Sequence, residues 1–155
     1  AVLASLILAV SLHGAEIIDR PWHYTTKRPA GGWQRASFDD SNWREGFGGF
    51  GQSSTPGSRV ATQWKTKNIW LRQSIDLKAI PKRPALYIYH DEDAQVFING
   101  KLLARFKGYI TGYKVVPLDE AGRAVARRAV GPGRIRQDRC ACSGCRGRGR
   151  LRERR

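Results

Sequence analysis

The chain has 155 residues, 41% of them apolar, and a formal net charge of +15 at pH 7. That length suits one domain able to bury most of its apolar surface without disulfides or a structural metal. Residues 121–155 carry twelve arginines against two acids, Asp138 and Glu153, so most of the excess charge sits in a tail. The body is only mildly basic, which argues against a nucleic-acid-binding core. No cysteine precedes Cys140, which excludes a body held by disulfides.

In chain order, the first feature is the apolar run AVLASLILAVSLHGAE. It is too short to span a bilayer and ends in small residues, so residues 1–15 read as an export leader cleaved after Ala15. His13, third back from that cut, is bulkier than the usual small residue. With no Met and no basic stretch ahead of the run, the sequence reads as starting inside the leader. The competing reading is a buried core helix. The leader places the protein outside the cytoplasm, in a periplasm or the extracellular space, with no membrane contact beyond export itself.

Residues 17–57 alternate aromatic anchors with turn chemistry: Trp22, Tyr24, Gly31, Gly32, Trp33, Phe38, Asp39, Asp40, Trp43, then GFGGFG. No apolar spacing of three and four residues is sustained there, so no helix is expected. Asp40 and Ser41 are suited to bond nearby backbone N–H groups and so to fix the turn that presents Trp43.

Alternation then becomes regular. A strand is expected over 68–77, with a bulge near Gln73 where the pattern breaks. Three more strands are expected over 85–90, 94–98 and 101–106, and a fourth over 113–118. Asn99 and Gly100 lie between two β-rich runs. Both central positions of a type I′ turn need positive φ, so Asn-Gly marks a hairpin. Short, evenly spaced strands without amphipathic helices between them point to an all-β antiparallel sandwich or barrel.

Four stretches, FDDSNW with GFGGFG, TQWKTKNIWLRQSIDL, HDEDAQVFINGKLL and GYITGYKVVPL, resemble the galactose-binding-like jelly-roll modules attached to bacterial glycoside hydrolases. The likeness is greatest to the sugar-binding domain of family 2 glycoside hydrolases and covers residues 22–120. It implies a jelly-roll β-sandwich over 16–120 that is not itself an enzyme. Its partner would be either carbohydrate or a neighbouring catalytic domain of an exported polysaccharide-degrading protein. Modules of this kind continue into a Gly-x-Asn and a closing strand rich in Val, Ile and Ala. Here residues 121–155 are instead dominated by Arg, Gly, Ala and Cys, a composition expected to be disordered and readable as out-of-frame translation of a GC-rich region. With the closing strand missing, its neighbours would be left as open edges and the chain would be hard pressed to fold alone.

Two chemistries compete for the tail. Arginine-rich segments neutralise phosphates and bind nucleic acid in a salt-dependent way, but an exported protein has no specific nucleic-acid partner to expect. Cys140, Cys142 and Cys145 supply three thiols with no fourth ligand nearby, against the paired spacing of a zinc site.

In the body, the acidic turn His90-Asp91-Glu92-Asp93 is the one stretch that resembles a catalytic centre. Adjacent residues at a strand end point to opposite faces, whereas glycoside hydrolysis needs two carboxyl groups across a cleft. The expected role of Asp91 and Asp93 is therefore to shape the turn. Calcium coordination by their oxygens is the alternative cofactor reading, and a hydrolase using the turn as its acid and base is the alternative function.

Among the aromatics, Trp22 and Trp70 lie in β-rich segments and are expected in the core. Trp33, Trp43 and Trp64 lie in loops, and Tyr109 and Tyr113 flank Gly112. These five are the candidates to stack on a sugar, against the competing reading that each is packed. His23 and His90 read as strand-end histidines without a nucleophile partner.

Overall fold

Alternation over residues 68–106 becomes the ladders that organise the molecule. The computed structural model describes residues 20–54, 59–75 and 82–129 in full and the backbone of residues 2–4 and 135–142. In chain order the elements are β1 (Val2–Ala4), β2 (Trp22–Thr25), β3 (Arg44–Gly46), β4 (Phe50–Gly51), β5 (Thr62–Gln63) and β6 (Asn68–Ile75). Then come β7 (Ala85–His90), β8 (Ala94–Ile98), β9 (Lys101–Phe106), β10 (Lys114–Pro117), α1 (Glu120–Ala129) and β11 (Ile135–Cys142). Among the described residues one sheet runs β10-β7-β1-β4-β5 and the other β3-β2-β6-β11-β8-β9. Every pairing is antiparallel except β4 with β5. The protein is thus predominantly β, as expected, and no described helix is long and apolar enough to cross a membrane.

One apolar core draws on both sheets: Ile69, Leu71 and Ile75 from β6 and Val96 and Ile98 from β8 join Phe50 from β4 and Leu86 and Ile88 from β7. Period-two alternation supplies these residues, because every second side chain of a strand shares a face. Each buried aliphatic or aromatic side chain contributes about 1.5–3 kcal/mol. Trp22 joins this core at 3% exposure, as expected. Trp70 does not: it is half-buried on the other face of β6 from Ile69 and Leu71.

The break in alternation at Gln73 is not a bulge. The β6–β11 register runs unbroken from Ile135↔Ile75 to Cys142↔Asn68, and the irregularity in this sheet falls between Val96 and Phe97 where β8 meets β9. The pattern breaks because Arg72 and Gln73, on opposite faces of the strand, are both buried. The Gln73 amide donates to the Arg20 carbonyl at 2.8 Å, and Arg72 is covered by the loop described below.

The β8–β9 hairpin turns at Asn99 (φ 46°) and Gly100 (φ 80°), the two positive angles that the Asn-Gly pair predicts. Asn99 has a second use, since its Nδ2 donates to the Ala129 carbonyl at 2.7 Å and so satisfies an end carbonyl of α1.

Residues 121–155 were expected to be disordered, yet α1 and β11 fall within them. Bulk composition misleads here because Ala and Arg are strong helix formers whatever their hydropathy. Asp119 caps the helix, its Oδ1 accepting from Gly122 N at 2.7 Å. Glu120 in the first turn pairs with Arg123 at 2.8 Å and Arg127 at 2.7 Å, and Ala126 is buried in the core. β11 occupies the place between β6 and β8 that the expected missing strand would have left open. Backbone pairing does not depend on side-chain type, so a polar segment can complete a ladder. The register nevertheless sets Arg139 opposite Leu71 on one side and Val96 on the other, a row that is otherwise apolar.

Val2–Ala4, inside the expected leader, pairs with β4 and β7. Residues 5–19, the rest of that leader and its cleavage point, lie outside the described residues, as do Cys145 and the end of the tail.

Candidate functional site

Two loops, one over each sheet, carry the polar and aromatic residues of interest. The first, residues 31–43, lies over the outer face of β6 and is held there by Arg72, whose side chain is 1% exposed. Nε of Arg72 donates to Asp40 Oδ2 at 2.6 Å, Nη1 to the Trp33 carbonyl and Nη2 to the Arg35 carbonyl at 3.2 Å. Its guanidinium carbon also lies 5.3 Å from the centre of the Phe38 ring, within cation–π range. Asp40 Oδ1 is 3.2 Å from His23 Nδ1, and His23 Nε2 is 3.3 Å from Glu45 Oε1. Burial pushes the Asp40 carboxyl up, but the hydrogen bond and charge of Arg72, with His23 assisting, outweigh it and hold the group below the usual carboxylate range.

The turn before Trp43 is therefore built differently from expectation. Asp39, not Asp40, caps it by accepting from Ser41 N at 3.0 Å, and Trp43 N donates to the Asp40 carbonyl at 2.9 Å. Asp40 was available for a local bond, but a buried guanidinium without a carboxylate would be costly.

The second loop is a clasp between the acidic turn and residues 107–110. His90, 3% exposed, has its Nδ1 2.9 Å from both the Glu92 and the Gly108 carbonyls. Two carbonyl oxygens around one ring nitrogen require that nitrogen to carry the proton. Asp93 accepts from Lys107 Nζ at 2.5 Å and from Gly108 N at 3.0 Å, and Ile110 N donates to the His90 carbonyl at 2.9 Å. The Lys107 bond, then the Gly108 amide, hold the Asp93 carboxyl below its ordinary value. Glu92 (φ 93°) and Gly108 (φ 66°) both adopt left-handed backbone to let the two strands of the clasp meet.

The five sugar-stacking candidates are not brought together. Trp33 is 8% exposed, with its ring edge-on to Phe97 at 5.7 Å. Trp64 is 4% exposed and belongs to the core, its Nε1 donating to Thr66 Oγ1 at 2.7 Å. Neither offers a free face, because each loop folds back on a sheet. Trp43 is half-buried against Phe38 at 5.8 Å. Tyr113 is half-buried, stacked on Tyr87 at 4.7 Å and tilted against Tyr89 at 5.7 Å. Tyr109 stands apart at 71% exposure, carried on the clasp. Burial, then the charge of Asp91, raises the Tyr89 hydroxyl above its ordinary value.

Sequence reasoning missed the roles of Arg72, Asp40 and His90. An arginine inside an otherwise apolar strand was the available signal for the first. Among the described residues no three His, Cys, Asp or Glu side chains converge as a metal site. Asp93 already accepts from two donors, one a lysine ammonium where a calcium ion would need the same oxygens.

No protein-family model matches the chain, and no curated protein does. Among solved structures it is similar to a β-glycosidase from Bacteroides vulgatus, with a TM-score of 0.51 and 18% identity over 79% of this chain. The chain spans 16% of that enzyme's length. The likeness is one of fold, and it makes the fold glycosidase-related.

Proposed function

We propose that the chain is a carbohydrate-binding, non-catalytic module, an antiparallel β-sandwich of the galactose-binding-like jelly-roll kind, carried by an exported glycan-degrading protein. The observation that carries the reading is its fold likeness to a portion, about a sixth in length, of a β-glycosidase. A unit of that size suits an accessory to a catalytic domain. The single core drawing on two sheets is the arrangement of a sandwich, and the apolar run at 1–15 supports export.

The acidic turn is better suited to holding a loop than to hydrolysis. A glycosidase acid needs a raised carboxyl pKa and a second carboxylate across a cleft, whereas Asp93 is lowered by Lys107 and Gly108. The test is to incubate the full chain with soluble polysaccharides and chromogenic glycosides. Binding without release of reducing ends or chromophore supports the reading. Hydrolysis that Asp91→Ala abolishes would overturn it in favour of a catalytic turn.

A further inference from the structure

Tyr109 is the most exposed large apolar side chain described, at 71%, yet its loop is among the most firmly tied. On its two sides Gly108 N bonds Asp93 and Ile110 N bonds the His90 carbonyl, while the Gly108 carbonyl faces the buried His90 ring nitrogen. A ring put there by chance would sit on a slack loop, where exposure costs little. Here a left-handed glycine, a left-handed Glu92 and a buried histidine combine to hold a phenol ring in water.

We propose that Tyr109 is the stacking contact of a saccharide subsite that takes neutral pyranose units. This rests on the carbohydrate reading above. An aromatic face covers the C–H face of a pyranose, and a ring whose loop is already ordered gives up little entropy on binding. Charge selects the ligand class. The clasp holds Asp91, Glu92 and Asp93 against Lys107, whose ammonium is already paired with Asp93, so the surroundings are net negative and repel uronate or sulfate groups. The Ile110–His90 backbone bond places Asp91 one residue from one partner and Tyr109 one residue from the other, which brings a carboxylate acceptor for sugar hydroxyls alongside the ring.

Titration calorimetry of the full chain against mixed-linkage β-glucan, galactomannan and polygalacturonate tests this. At least one neutral polymer is expected to bind, with Tyr109→Ala weakening it about tenfold, or about 1.4 kcal/mol, and Tyr109→Phe leaving it within about twofold. Because the ring is exposed, Tyr109→Ala should unfold at the wild-type temperature, which separates lost contact from lost fold. Polygalacturonate, attracted by the twelve arginines of residues 121–155, should bind equally to wild type and Tyr109→Ala. Neutral-polymer binding that Tyr109→Ala leaves intact overturns the subsite and spares the carbohydrate reading. Loss of polygalacturonate binding alone overturns the ligand class, and no binding of any neutral polymer overturns subsite and reading together.

Discussion

Replacing Arg72 with Met tests how the loop at 31–43 is held. Met keeps much of the length and apolar stem and removes the guanidinium, so Asp40 loses its 2.6 Å partner and the Trp33 and Arg35 carbonyls lose their donor. Breaking a buried pair by deleting one member costs about 3–5 kcal/mol, because the other charge stays buried. For a domain of this size a loss of 1 kcal/mol lowers Tm by about 2–4 °C, so a drop of roughly 6–20 °C is expected by circular dichroism.

The same variant carries a pH signature. The folded Asp40 carboxyl is held below its unfolded value, so its contribution is present above the unfolded pKa and lost as pH falls through the folded one. The penalty of Arg72→Met should therefore be full at pH 7 and shrink in acid as Asp40 protonates. A Tm within about 2 °C of wild type at pH 7, or a penalty that does not change with acidification, would refute the reasoning.

Asn99→Gly keeps the positive φ of the hairpin but loses the bond to Ala129, and should cost about 1 kcal/mol in a denaturant melt. Asn99→Val should cost clearly more, since a β-branched residue resists that φ. Gly49→Ala places a methyl against the Arg59 carbonyl oxygen at φ 99°, and is expected to cost at least about 1–3 kcal/mol from backbone strain alone, read as a large fall in Tm. Asp93→Asn weakens the tie to Lys107 and should speed hydrogen exchange at Gly108 while leaving global Tm nearly unchanged, because the pair is half-exposed. The wild-type clasp should loosen likewise as pH falls through the lowered Asp93 pKa.

What was legible in the sequence was local. The hairpin at Asn99-Gly100 needs only two residues with positive φ, and β7, β8 and β9 need only alternation within five or six residues. Their bounds match expectation residue for residue. What was not legible depends on distant partners. Arg72 is buried by a loop more than thirty residues away in sequence, so the strand pattern alone suggested a bulge.

Trp33 and Trp64 looked like rim residues because they lie in loops, but loop membership does not say whether a loop folds back over a sheet. Helix α1 was legible and overlooked: Asp119 at the cap position and Glu120 followed by Arg123 and Arg127 are a helix-start pattern, masked by the overall polarity of the tail. Tyr109 was singled out from the sequence beside Tyr113, but only the clasp distinguishes the exposed ring from the stacked one.

The most direct test of the carbohydrate-module reading is calorimetry of the full chain with soluble neutral polysaccharides, with reducing-end analysis of the same samples afterwards. Saturable binding with no new reducing ends is the predicted result. Release of reducing ends, or no heat with any neutral polymer while the chain is folded, would contradict it.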